Sequence, residues 1–208
     1  MDPGGLAPYK SVAAGLNAWV CFVDEAGIAL RPAKARTWGR RGRTPVVTVT
    51  AKGSGRVHLA GLVATRPGRR TRLIFRAILT RDGSVRPKGF RHDDLVRMLT
   101  AAHQQLRGPI VLVWDNATQH IEAKMRHWAA RQPWLTMFRL PPYAPELNPV
   151  EQVWSHLNRG MANLAPHTID EIASIAKTRL RRLQYRTDGI LDHFIAHTAL
   201  DMTGLDPP

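Results

Sequence analysis

The sequence predicts an α/β domain. Its expected core is a mixed five-stranded sheet, with three antiparallel strands followed by parallel βαβ units and helices on the faces. Three observations carry this. Short β-branched or apolar runs, separated by Gly and Pro turns, fill the chain up to about residue 80. After residue 92 the apolar period changes to that of helices, with strand-sized runs between them. At 208 residues and 44% hydrophobic content, the chain is long and apolar enough for one sizeable core.

Residues 1–17, with their glycines and prolines, read as a flexible lead-in, and residues 18–208 as the domain. The run WVCFV at 19–23 is a buried strand, with Asp24 and Glu25 at its exit. Residues 31–45 are basic and loop-like around Trp38. Residues 46–50 (VVTVT) read as a strand, and 57–64 and 73–79 as strands joined across Pro67-Gly68. Leu95, Met98, Leu99, Ala102 and Leu106 have helical spacing, ended by Gly108-Pro109. A strand at 110–114, a helix marked by Ile121, Met125, Trp128 and Ala129, and a strand at 135–140 make a βαβ unit. Asn148-Pro149 opens a helix with Val150, Val153, Trp154 and Leu157 on one face. Thr168 and Glu171 form a capping-box pattern for a helix to about residue 184, and 190–200 reads as a last helix. Trp114, Trp128, Trp134 and Trp154 sit at core-packing positions.

Net charge is +14, and its placement is uneven. Residues 26–81 hold 14 Lys and Arg and no Asp or Glu. Such a block favours a polyanion, of which nucleic acid is the commonest. Arg31, Lys34, Arg36, Arg40, Arg41 and Arg43 surround Trp38 in a loop expected to cross DNA or a partner subunit. About six phosphate contacts there correspond to a log–log salt slope near −5. Lys177, Arg179, Arg181, Arg182 and Arg186 lie on a helix and read as a solvated face that touches DNA at most secondarily. The single cysteine, Cys21, excludes an internal disulfide framework and suits a reducing, cytoplasmic compartment. No apolar run approaches membrane-spanning length.

Asp24, Asp115 and Glu151 are the candidate site. Asp24 and Asp115 each follow an apolar strand, and Glu151 is the third residue of the helix opened by Asn148. Each has a plain alternative: Asp24 a turn, Asp115 a cap for the next helix, Glu151 the capping-box partner of Asn148. Their convergence favours a cluster, and an acid directly off a buried strand is costly without a counter-charge. Carboxylates a few ångströms apart need a cation to stay ionised together, and Mg²⁺ or Mn²⁺ prefers such hard oxygens. Two ions about 3.5–4 Å apart serve phosphodiester chemistry. The nine histidines form no zinc pattern.

The segments FVDEAG, RTWGRRGRTP, VWDNATQH and PPYAPELNPVEQVW together resemble D-D-E transposases of bacterial insertion sequences. The branch is the insertion-sequence-six-thirty type, related to mariner. The resemblance covers about residues 18–185 and is most specific at 140–154. It implies a ribonuclease H-like fold, the triad Asp24, Asp115 and Glu151, and two Mg²⁺ ions with Mn²⁺ as substitute. The implied chemistry is DNA cleavage by water, then strand transfer by the freed 3′-OH at TA sites. The 35 residues between Asp115 and Glu151 fit the family spacing. Asn116 and His120 match positions close to the second acid, contacting its surroundings or DNA, and Asn148 sets up the helix of Glu151. The implied partners are transposon-end and target DNA and a second copy of the chain. Full-length members carry an N-terminal helix-turn-helix module. The 17-residue lead-in is too short for one, so an upstream helix-turn-helix protein or a frameshift fusion is expected to supply it. A non-catalytic DNA-binding relic and a ribonuclease H-type nuclease are the competing readings.

Overall fold

The computed structural model describes residues 7–30, 38–43, 55–81, 83, 89–114, 119–141, 144–162, 164 and 167–198. Strands β1 (Trp19–Ala29), β2 (Arg56–Arg66), β3 (Arg69–Thr80), β4 (Ile110–Trp114) and β5 (Leu135–Arg139) form one sheet in the order β3-β2-β1-β4-β5. β1, β2 and β3 pair antiparallel, whereas β4 is parallel to both β1 and β5. This is the mixed five-stranded, ribonuclease H-like arrangement expected from the sequence. The expected strand at 46–50 lies outside the described residues.

Side-chain alternation divides the core in two. Val20 and Phe22 of β1 face one side with Val111 and Val113 of β4. Trp19, Cys21 and Val23 face the other with Ile110, Leu112 and Trp114. Helices α1 (Ala7–Gly15), α4 (Pro149–Met161), α5 (Ile169–Tyr185) and α6 (Ile190–Ala196) cover the first side, and α2 (His92–Leu106) and α3 (Gln119–Ala129) cover the second. A parallel sheet centre buried on both faces explains why β1 and β4 read as continuous apolar runs. Burial pushes the Cys21 thiol pKa far above its ordinary range, which leaves Cys21 as core packing.

Two expectations are corrected. The lead-in is partly helical: α1 buries Tyr9 and Ala13, and the Tyr9 ring meets Phe138 edge-on at 6.4 Å. This packing against the sheet outweighs a sequence with little amphipathic pattern. Asp24 also does not end its strand. β1 continues to Ala29 because β2 pairs with it as far as Ala29↔Arg56, while β4 accompanies it only to Val23↔Trp114. Asp24 therefore marks where the parallel neighbour stops.

Gly68, at φ +66°, closes the β2–β3 hairpin in a conformation that favours glycine. Thr168 Oγ1 accepts the Glu171 N–H at 3.2 Å, as the capping pattern predicts. The Glu171 carboxylate reaches one residue further back than a capping box requires, to the His167 N–H at 2.8 Å. Among the described residues no helix is long and apolar enough to cross a membrane.

Candidate active site

Helix α4 is fastened to β1 at two consecutive residues. Asn148, its N-cap, accepts the Val150 N–H through Oδ1 at 3.1 Å. The same side chain donates from Nδ2 to the Val23 carbonyl at 3.1 Å. One turn into the helix, Trp154 donates its indole N–H to Asp24 Oδ2 at 2.8 Å. All three side chains are buried: Asn148 at 3%, Trp154 at 4% and Asp24 at 8% exposure. A buried carboxylate is tolerable only with such donors.

The approach of Trp154 depends on an absent side chain. Gly61 of β2 is the register partner of Asp24 and shares its face of the sheet. A Cβ at Gly61 would lie 2.9 Å from Trp154 Cζ2 and Cη2 and 3.1 Å from Val150 Cγ1. The glycine lets the indole come this close to β2, where its N–H reaches Asp24.

Glu151 precedes Trp154 by three residues on the same helix, so the two are neighbours on its surface, with Cβ atoms about 5–6 Å apart. The Glu151 side chain is exposed at the first turn of α4. The Asn148 N–H, which a capping-box glutamate would take, donates to the Pro145 carbonyl at 3.0 Å. Helix capping at this end is done by Asn148 and the 3₁₀ turn Pro145–Leu147. The structure thus carries the first turns of α4, which bear Glu151, to the part of β1 where β4 stops and Asp24 follows.

Asp115 and Asn116 lie outside the described residues. Asp115 directly follows Trp114, the partner of Val23, and Asp24 directly follows Val23. His120 is in the first turn of α3, and its side chain is not described. Among the described residues no group of three His, Cys, Asp or Glu forms a metal cluster. The donor types here are nonetheless hard carboxylate oxygens, which suit Mg²⁺ or Mn²⁺ and not a soft metal.

Of the basic loop, Trp38, Arg40, Arg41 and Arg43 are described and fully on the surface, with Trp38 100% exposed. Gly42 at φ +80° and the Arg43 N–H to Arg40 carbonyl bond at 2.9 Å form a turn there. Arg31, Lys34 and Arg36 lie outside the described residues.

Sequence reasoning missed Trp154 and Gly61. The available signals were a buried indole, whose N–H requires an acceptor, and a glycine inside an apolar strand. The other tryptophans pack as expected: Trp114 is buried, and Trp134 stacks on His103 at 4.2 Å and meets Trp128 edge-on at 5.9 Å.

The class the fold defines is that of ribonuclease H-like domains, here with a buried acid on β1 where β4 stops and helix α4 fastened to that acid. Residues 19–173 match the DDE superfamily endonuclease family, and the chain belongs to that family. Its fold is that of the Mos1 strand transfer complex protein, with TM-score 0.60, 13% identity, and coverage of 91% of this chain and 56% of that one. It is equally similar to the Mos1 mariner paired-end complex with Mn, with TM-score 0.59, 15% identity, and coverage of 85% and 51%. A Mos1 paired-end complex with Mg aligns at TM-score 0.53 and 12% identity, covering 95% and 56%. The chain spans about half the length of these Mos1 chains. No curated protein matches significantly.

Proposed function

We propose that this chain is the catalytic domain, residues 18–208, of a bacterial insertion-sequence transposase of the insertion-sequence-six-thirty type. Asp24, Asp115 and Glu151 hold two Mg²⁺ ions, or Mn²⁺ in their place. The observation that carries this reading is the double attachment of α4 to Val23 and Asp24 by Asn148 and Trp154. It sets the turn of Glu151 beside Asp24, while Asp115 follows the strand residue paired with Val23. Family membership and the similarity to Mos1 mariner paired-end complexes with Mn and with Mg support it.

The ions, when bound, supply an activated water or 3′-OH and stabilise the leaving oxygen of the phosphodiester. The chain's own contribution is positional. Trp154 fixes the rotamer of Asp24, and Asn148 fixes the start of α4 and thereby the direction of Glu151. The surface loop of Trp38, Arg40, Arg41 and Arg43 holds the DNA backbone, together with Arg31, Lys34 and Arg36. Asn116 and His120 contact the surroundings of Asp115. Strand transfer is directed to TA sites, and the protein works as a homodimer.

The test is nicking of supercoiled DNA, and of DNA carrying transposon ends, with Mg²⁺ or Mn²⁺. Nicking is expected from the wild-type chain and lost in Asp115→Asn and Glu151→Gln. Equal activity in those variants would refute the triad. Tight DNA binding without any nicking would favour the non-catalytic relic, and preference for RNA–DNA hybrids would favour a ribonuclease H-type nuclease.

A further inference from the structure

The edge of the sheet opposite Asp24 carries a second concentration of positive charge. A depression of about 690 Å³ lies between the β2–β3 hairpin and the end of α2. Five arginines line it: Arg66, Arg69, Arg70, Arg72 and Arg107. A second, of about 430 Å³, lies between the last turns of α4 and α5, where Arg159, Arg179, Arg182 and Arg186 surround His156. The two adjoin. Arg70 reaches from the first to donate to the carbonyls of Gln184 and Arg186 at the end of α5. They form one arginine rim around the hairpin end of the domain.

Neither depression is lined by a carboxylate among the described residues. Two acids stand near the rim and are already engaged: Asp188 with the Arg186 guanidinium, and Asp192 as acceptor from the Thr71 hydroxyl. Arg179 is half-buried, with its guanidinium laid over Gly160, where a Cβ would come within 2.5 Å of Nη1. A half-buried guanidinium held among others repels them unless an anion is present, so the arrangement favours a polyanion over open water. The low pKa of His156, set first by burial and then by Arg159, Arg186 and Arg179, reports the same positive field.

Five strand steps lead from Gly61, opposite Asp24, to Arg66, a rise of about 17 Å. The hairpin part of the rim therefore lies at the far end of the strands from the position of Asp24.

We propose that the arginine rim is a second DNA-backbone site, separate from the position of Asp24. The inference rests on the DNA-processing reading above and adds a second DNA position to it. Contact is to phosphates, so the site is indifferent to base sequence.

The experiment uses two short duplexes with different fluorophores and the full chain, reading co-capture as the number of duplexes bound per protomer, and the salt dependence of binding. The variant Arg69→Gln/Arg107→Gln/Arg159→Gln/Arg182→Gln changes only exposed arginines. It is expected to lose co-capture and to flatten the log–log salt slope by about 3–4. Arg→Lys at the same four positions is expected to restore both, and it also shows that the glutamine effect is not misfolding. Wild-type capture of a single duplex, or an unchanged slope in the glutamine variant, would overturn the proposal. Metal-dependent nicking is read separately. Its absence with co-capture intact sinks the catalytic reading alone, and its presence with an unchanged slope sinks the rim alone.

Discussion

Trp154 donates its indole N–H to Asp24 Oδ2 at 2.8 Å across 130 positions of sequence. A residue placed by periodicity in the core thus acts as a fixed donor to the first candidate metal ligand. Groups that hydrogen-bond to metal ligands orient them, and their loss typically lowers metal affinity 10–100-fold. Trp154→Phe keeps most of the apolar bulk and deletes the donor. The expected result is Mn²⁺ binding weakened by about 10-fold or more, measured by electron paramagnetic resonance titration, with DNA binding in the absence of metal retained. An unchanged Mn²⁺ affinity in a folded Trp154→Phe protein would reduce the indole to packing.

Gly61 makes that bond possible, and its replacement tests the geometry. In Gly61→Ala the new methyl meets the indole at 2.9 Å in a buried layer. Overpacking of this kind costs about 1–3 kcal/mol, readable as a lower urea midpoint. Phe at position 154 lacks the outer indole ring that is struck. The double variant Gly61→Ala/Trp154→Phe should therefore be more stable than the sum of the single effects predicts. Strict additivity would show that the two residues do not share this contact.

The sequence made most of the fold legible and part of the site. Alternation in WVCFV and IVLVW and the helical spacing of Leu95 to Leu106 survive because burial on a fixed face enforces them. Asp24 was expected at a strand exit because the apolar run ends at Val23. No local signal says that β2 extends past β4 and carries β1 on to Ala29. Helix α1 was missed because its helicity comes from docking Tyr9 and not from its own pattern. Trp154 was legible as buried, but the acceptor for its N–H is a tertiary fact.

Asn148 joins two roles that substitution can separate. Asn148→Ala removes the cap on Val150 and leaves the buried Val23 carbonyl without this donor, a loss of about 1–3 kcal/mol. Asn148→Asp keeps an oxygen for the cap but replaces the amide donor with a carboxylate facing the Val23 carbonyl. It should be no more stable than the alanine variant, although aspartate is as good an N-cap as asparagine in general. Thermal or urea denaturation of the three proteins decides. Wild-type stability in Asn148→Asp would mean that the bond to Val23 contributes nothing.

His156 offers a reporter of what fills the arginine rim. It is held below its ordinary pKa of 6.5, first by burial and then by Arg159, Arg186 and Arg179, with Asp188 opposing. Arg182 of α5 lines the same depression, and the Phe194 ring of α6 lies 5.9 Å away. At neutral pH the imidazole is therefore uncharged in the free protein. A DNA phosphate among these arginines offsets their field and raises the pKa. Binding should then take up protons in the window between the free and the raised value, and DNA affinity should increase as pH falls through it. Calorimetry of DNA binding in buffers of different ionisation enthalpy measures that uptake directly. His156→Gln should abolish it while leaving the arginines in place. Equal proton uptake by wild type and His156→Gln would mean that the phosphates do not enter this depression.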